Sequence, residues 1–222
     1  MYRVGIDWGS GTVTAKLKIL IEFCLALALL VVAGATASVA QSSPRYYYGL
    51  GLGYSDFESV VTSFGGSASE GQTTTLSAVF GAEWQGNTSF YGYEADLDYG
   101  LSGETSQGGV TCATFADAPY LCDYTATVRL RGIYGTDFGG TKVFGALGVG
   151  GVFGDFATSP TTQASGSVYG LTAGVGAYFP VSDSMNVRGE VIYDNFTNAD
   201  QTGGYESEFT GMSVRVTAMF AF

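Results

Sequence analysis

The chain has 222 residues, 34 of them glycine, with 14% aromatic and only 13% charged side chains, and its formal charge is −11. Twenty acids against nine basic residues exclude a partner held through a phosphate backbone, so nucleic acid is not expected. Histidine is absent from the whole sequence, which excludes His-based triads, His metal sites and His general bases.

Lys16 and Lys18 precede the apolar run Phe23–Ala35, and Ser38-Val39-Ala40 follows before Gln41. A positive start, a short apolar centre and small residues at −3 and −1 predict a cleavable signal peptide, cut after Ala40. The apolar run is too short to cross a bilayer as a helix. The chain therefore divides into residues 1–40, an N-terminal extension with signal peptide, and residues 41–222. Residues 1–40 hold three basic and two acidic side chains, so the remainder stands at −12. Gly5 to Thr12 resembles the first phosphate loop of actin-like and Hsp70-like ATPases, but no second phosphate motif follows. Residues 1–15 are read as an upstream extension, with Val13 near a plausible start.

From Gln41 onward the sequence alternates at period two, and eight strands are predicted. They run about Arg45–Ser55, Thr73–Trp84, Ser89–Gly100, Tyr124–Thr136, Thr141–Gly154, Ser167–Phe179, Met185–Asn195 and Met212–Phe222. Each has one apolar face, such as Tyr48, Leu50, Leu52 and Tyr54 in the first. The other face is small or polar, such as Gly49, Gly51 and Gly53. In the last strand Val214, Val216, Ala218, Phe220 and Phe222 alternate with Ser213, Arg215 and Thr217. A final strand with so apolar a face needs a partner on both edges, and pairing back to the first strand supplies one.

The connectors alternate in length. Gln85–Thr88, Asp137–Gly140 and Pro180–Ser184 read as tight turns, whereas 56–72, 101–123, 155–166 and 196–211 read as long loops. Strands near the ~9–11 residues that cross a bilayer, with short turns on one side and long loops on the other, predict an all-β, eight-stranded antiparallel up-and-down transmembrane barrel. With both termini periplasmic, two outward aromatic belts are expected. One holds Tyr46, Tyr48, Trp84, Tyr91, Tyr93, Tyr134, Phe179, Phe220 and Phe222; the other holds Tyr54, Tyr99, Tyr124, Phe153, Tyr169 and Tyr193.

Five of the six basic residues after residue 40 fall on the inward phase: Arg129, Arg131, Lys142, Arg188 and Arg215. So do six acids: Glu83, Glu94, Asp96, Asp98, Glu190 and Asp194. A narrow lumen obliges them to pair. The candidate network is Glu94, Asp96, Arg129, Arg131, Arg188, Glu190 and Arg215, with Glu94 and Asp96 expected to meet Arg129 and Arg131 across neighbouring strands. Eight strands leave an interior that side chains fill, so a structural plug is favoured over an ion path. The alternating glycines form no cofactor loop.

Cys112 and Cys122 fall in the second long loop, and an oxidising compartment predicts a disulfide between them. The four long loops carry ten acids and no Lys or Arg, an acidic crown without EF-hand spacing. No catalytic, cofactor or metal residue is identified, and an enzyme is not expected.

Strand pattern, signal peptide, loop alternation and terminal Phe222 together resemble the small outer-membrane proteins typified by OmpA's membrane domain, OmpX and the opacity-type adhesins. The resemblance implies the outer membrane of a Gram-negative bacterium, with roles in membrane integrity, adhesion or surface binding. Low-conductance channels are the alternative, and lipid-modifying barrels a distant one. It implies as partners the outer-membrane lipid and lipopolysaccharide, an extracellular loop partner, and the barrel assembly machinery. That machinery reads a C-terminal aromatic on an alternating strand, which Val214, Phe220 and Phe222 match.

Overall fold

The computed structural model describes residues 43–61, 67–102, 105–107, 110–111, 120–159, 162–201 and 205–222. The signal peptide expected within 1–40 and Cys112 lie outside the described residues. The strands are β1 Arg45–Val61, β2 Ser67–Gln85, β3 Ser89–Gly100, β4 Thr105–Gln107, β5 Val110–Thr111, β6 Tyr120–Phe138, β7 Thr141–Ser159, β8 Thr162–Ser182, β9 Met185–Gln201 and β10 Tyr205–Ala221. All ten pair antiparallel, and eight of them, all but the short β4 and β5, form the wall. β1 pairs with both β2 and β10, so the sheet closes on itself into a barrel. The closing seam runs from Tyr47 opposite Ala221 to Val61 opposite Ser207.

The turns are tight because their residues permit it. Gly139 and Gly140 take φ of 65° and 100°, the left-handed backbone of a two-residue hairpin, and the Gly140 amide donates to Asp137 Oδ1 at 2.8 Å. At the next turn the strand continues through Pro180 to Ser182 instead of stopping before it. A bulge between Pro180 and Ser182 accommodates the missing proline donor.

The long strands exceed expectation. Seven of the eight have 17 to 21 residues, and β3 has 12. Segments 56–72, 155–166 and 196–211, expected as loops, are mostly strand; 101–123 holds β4, β5 and the start of β6. At about 3.3 Å per residue such strands are roughly twice the ~9–11 residues a bilayer needs. The extra length is a different kind of barrel. In the turn-side half the outward face is apolar, with Leu50, Leu52, Leu147, Val175 and Val216 exposed, and the inward face is charged. In the loop-side half the polarity reverses. Phe57, Leu121, Tyr124, Phe156, Phe196 and Phe209 are buried inside, while Asp56, Glu58, Glu70, Gln72 and Asp123 are exposed outside. In β1 and β2 the period-two alternation persists across the boundary, and only its sign changes.

One belt residue moves. Bulges after Leu121 and between Tyr124 and Ala126 slip the parity of β6. Tyr124, expected in the loop-side outer belt, therefore points inward, and its hydroxyl donates to Thr127 Oγ1 at 2.8 Å. The loop-side core is well packed: Phe57 lies 5.5 Å from Phe209 and Phe196 5.7 Å from Phe209 between ring centroids. Truncation of Phe196, fully buried, to alanine is expected to lower stability by about 3–5 kcal/mol. A urea titration of the folded barrel in detergent checks this, and an unchanged midpoint would show that the loop-side half has no cohesive core.

Candidate functional site

The wall brings the inward charges together at one height. Register places Glu94 opposite Arg131 and Asp96 opposite Arg129 on β3 and β6, and Glu190 opposite Arg215 on β9 and β10. Directly opposed residues on one face of an antiparallel pair stand about 5 Å apart at Cβ, within reach of guanidinium and carboxylate. Arg131 contacts Glu94 at 2.6 Å, Asp96 at 3.0 Å and Glu190 at 2.7 Å. Arg129 contacts Asp96 at 2.9 Å and forks onto Asp194 at 2.9 and 2.6 Å. Arg188 contacts Glu94 and Glu190, each at 2.6 Å, and Arg215 reaches Glu190 at 2.7 Å and Asp96 at 3.1 Å. All seven candidate residues therefore belong to one buried network.

Sequence reasoning placed Asp98 and Asp194 inside but left them out of the network. Arg129 binds Asp98 at 2.5 Å, and Ser77 Oγ donates to the same carboxylate. The missing signal was depth along the strand, which parity does not give. Tyr47 and Tyr178 were also missed as partners. Tyr47 donates to Glu94 at 3.1 Å, and Arg188 donates to the Tyr178 oxygen at 3.2 Å while lying 4.3 Å from the Phe144 ring centroid. Both tyrosines lie on the inward phase, so alternation alone would have found them. Lys142 pairs with Glu83 at 2.7 Å, nearer the turns.

Apolar layers close the lumen on both sides of the network. Tyr47, Phe90, Ile133, Phe144, Tyr178 and Met219 form the turn-side layer, and the aromatic core described above forms the loop-side one. A cavity of about 30 Å³ at the turn-side mouth, beside Glu83 and Lys142, has room for a water or two but no solute. Narrowness is built in by glycine: at Gly174 a Cβ would sit 2.8 Å from both Arg131 Nη1 and Glu190 Oε1. Carboxylates engaged by guanidinium groups in a closed space can hold strands together, but they present no nucleophile with an adjacent base.

The other candidates lie elsewhere. Val214 and Phe222 face outward on the closing seam with Phe220, where Phe220 stacks on Tyr48 at 5.4 Å and Phe222 on Tyr46 at 6.2 Å. The Phe222 amide donates to the Tyr46 carbonyl at 3.1 Å. Cys122 is buried and disulfide-bonded; Cys112 is outside the described residues. Among the described residues no group of three or more Cys, Asp and Glu side chains is arranged to hold a metal.

A closed antiparallel barrel with lipid-facing apolar walls and a charged interior defines a transmembrane β-barrel of the outer-membrane kind. Residues 25–220 match the outer membrane protein beta-barrel domain, and the chain belongs to that family. The family places it in the outer membrane of a Gram-negative bacterium. Among solved structures, OprG from Pseudomonas aeruginosa superposes with a TM-score of 0.55 at 13% identity, over 82% of this chain and 97% of that one. AlkL, solved in DMPC bilayers, gives 0.50 at 12% identity, over 84% and 94%. Ail from Yersinia pestis gives 0.45 at 11%, over 79% and 99%. At these identities the likeness is one of fold. No curated protein matches the chain.

Proposed function

We propose that this protein is a structural and interaction component of the outer membrane, which performs no chemistry and presents an acidic loop-side surface to the exterior. The observation that carries the reading is the sealed lumen: an arginine–carboxylate network lies between two apolar layers. The termini and tight turns face the periplasm, and the loop-side half stands above the membrane. Lipid and lipopolysaccharide surround the wall, and a loop partner binds outside. Val214, Phe220 and Phe222 on the closing strand act as the signal to the barrel assembly machinery. Cys112 and Cys122 form a disulfide in the second loop. With no histidine in the sequence and no activated nucleophile among the described residues, the enzyme reading lacks a catalyst.

Two measurements test this. Planar-bilayer recordings are expected to show no discrete conductance steps; reproducible steps would make it a channel instead. Protease shaving of intact cells is expected to cut within 56–72, 101–123, 155–166 or 196–211 and to spare 86–88, 139–140 and 183–184. Cuts in the turns would reverse the orientation.

A further inference from the structure

The lipid-facing wall is uneven. Across β6 to β9 an almost wholly apolar groove of about 630 Å³ is cut into it, floored by Gly132, Gly145 and Ala173 and flanked by Tyr134, Leu147 and Tyr193. Register explains the relief. Gly132 lies opposite Leu147 and Tyr134 opposite Gly145, so tall side chains alternate with none on the outward face. Leu147 and Tyr134 consequently stand 72% and 66% exposed.

These glycines have no reason inside the molecule. A Cβ at Gly132 would come no nearer than 3.8 Å to another atom, and one at Gly145 no nearer than 3.9 Å; at Gly189, also in this wall, nothing lies within 4 Å. The inward glycines differ: at Gly148 a Cβ would sit 2.1 Å from the Leu130 carbonyl oxygen. Glycine in a strand interior costs about 0.5–1 kcal/mol relative to alanine and commonly marks a close approach by something else. Here the approaching body comes from outside the barrel.

We propose that the groove seats one acyl chain of an amine-bearing, zwitterionic phospholipid in the turn-side leaflet. The groove lies within the hydrocarbon-facing belt, between outward rings at Phe179 toward the turns and Tyr169 toward the loops, so its occupant is apolar. A second barrel is convex and cannot enter a concavity of this width, whereas a single flexible chain can. Headgroup chemistry follows from charge. The β8–β9 turn below carries the exposed Asp183, which attracts an ammonium and repels an anionic headgroup.

The experiment weighs retained lipid. The protein is reconstituted in symmetric nanodiscs of equal phosphatidylethanolamine and phosphatidylglycerol, then released into the gas phase for native mass spectrometry. Symmetry makes the result independent of the orientation proposed above. Wild type is expected to retain one phosphatidylethanolamine, and the double variant Gly132→Leu/Gly145→Leu at least tenfold less at a urea midpoint no lower than that of wild type. Equal retention by both, or equal retention of the two lipids, would overturn the proposal. So would wild-type dimers that the variant abolishes, which would assign the face to a second copy. Should the variant not fold, wild type titrated with 16-doxyl phosphatidylethanolamine decides. Saturable broadening at the Gly132 and Gly145 amides, against linear broadening at Leu50 and Leu52, supports the site, and linear broadening everywhere removes it.

Discussion

Replacing Arg131 with methionine is expected to destabilise the folded barrel by about 3–5 kcal/mol, read as a lower urea midpoint in lipid vesicles. The guanidinium touches Glu94, Asp96 and Glu190, all buried, and its loss leaves three buried carboxylates each short of a partner. The charge count sharpens the expectation. Four arginines meet five carboxylates in the network, a net charge of −1. Removing an arginine takes it to −2, whereas Glu190→Gln brings it to zero. Arg131→Met should therefore cost more than Glu190→Gln, although Glu190 also touches three arginines. Equal effects would mean that the lumen is wet enough to screen its charges. Planar-bilayer recording of the same arginine variant adds a second readout, since an unpaired acidic cluster admits water and cations.

Leu147→Arg is expected to cost about 2–4 kcal/mol in vesicles, because the side chain projects from the apolar belt into hydrocarbon. The informative comparison is Glu58→Arg, equally outward but in the loop-side half. There the expected change stays within about 0.5 kcal/mol, since the side chain is already in water. Glu58 lies directly opposite Glu70, so arginine also relieves a like-charge pair. Two outward positions on one wall thus respond differently. If both substitutions cost the same, the change of polarity along the strands does not mark the edge of the bilayer.

Much of this was legible in the sequence. The eight strands, their antiparallel order and the inward phase of Arg129, Arg131, Arg188 and Arg215 follow from alternation alone, because a one-residue error would turn every charge to lipid. Glu94 and Asp96 were expected to meet Arg129 and Arg131, and the register sets them opposite each other. What was not legible has two causes. Strand ends were placed where outward apolar residues stop, yet Phe57 and Phe209 continue the alternation with its polarity reversed. Tyr124 depends on bulges, which shift parity by one and leave no mark in composition. Partnerships such as Arg129 with Asp194 join β6 to β9 across the lumen, and such contacts depend on barrel radius and tilt, which no local pattern encodes.

The reversal of polarity also works as a waterline. If the barrel sank by one pleat, Asp56 and Gln72 would enter hydrocarbon; if it rose, Leu52 and Leu76 would be left in water. Either displacement is opposed around the whole circumference, so the molecule rides at a fixed draught without a separate anchor. Whatever its loop-side rim carries is thereby held at a constant height above the lipid.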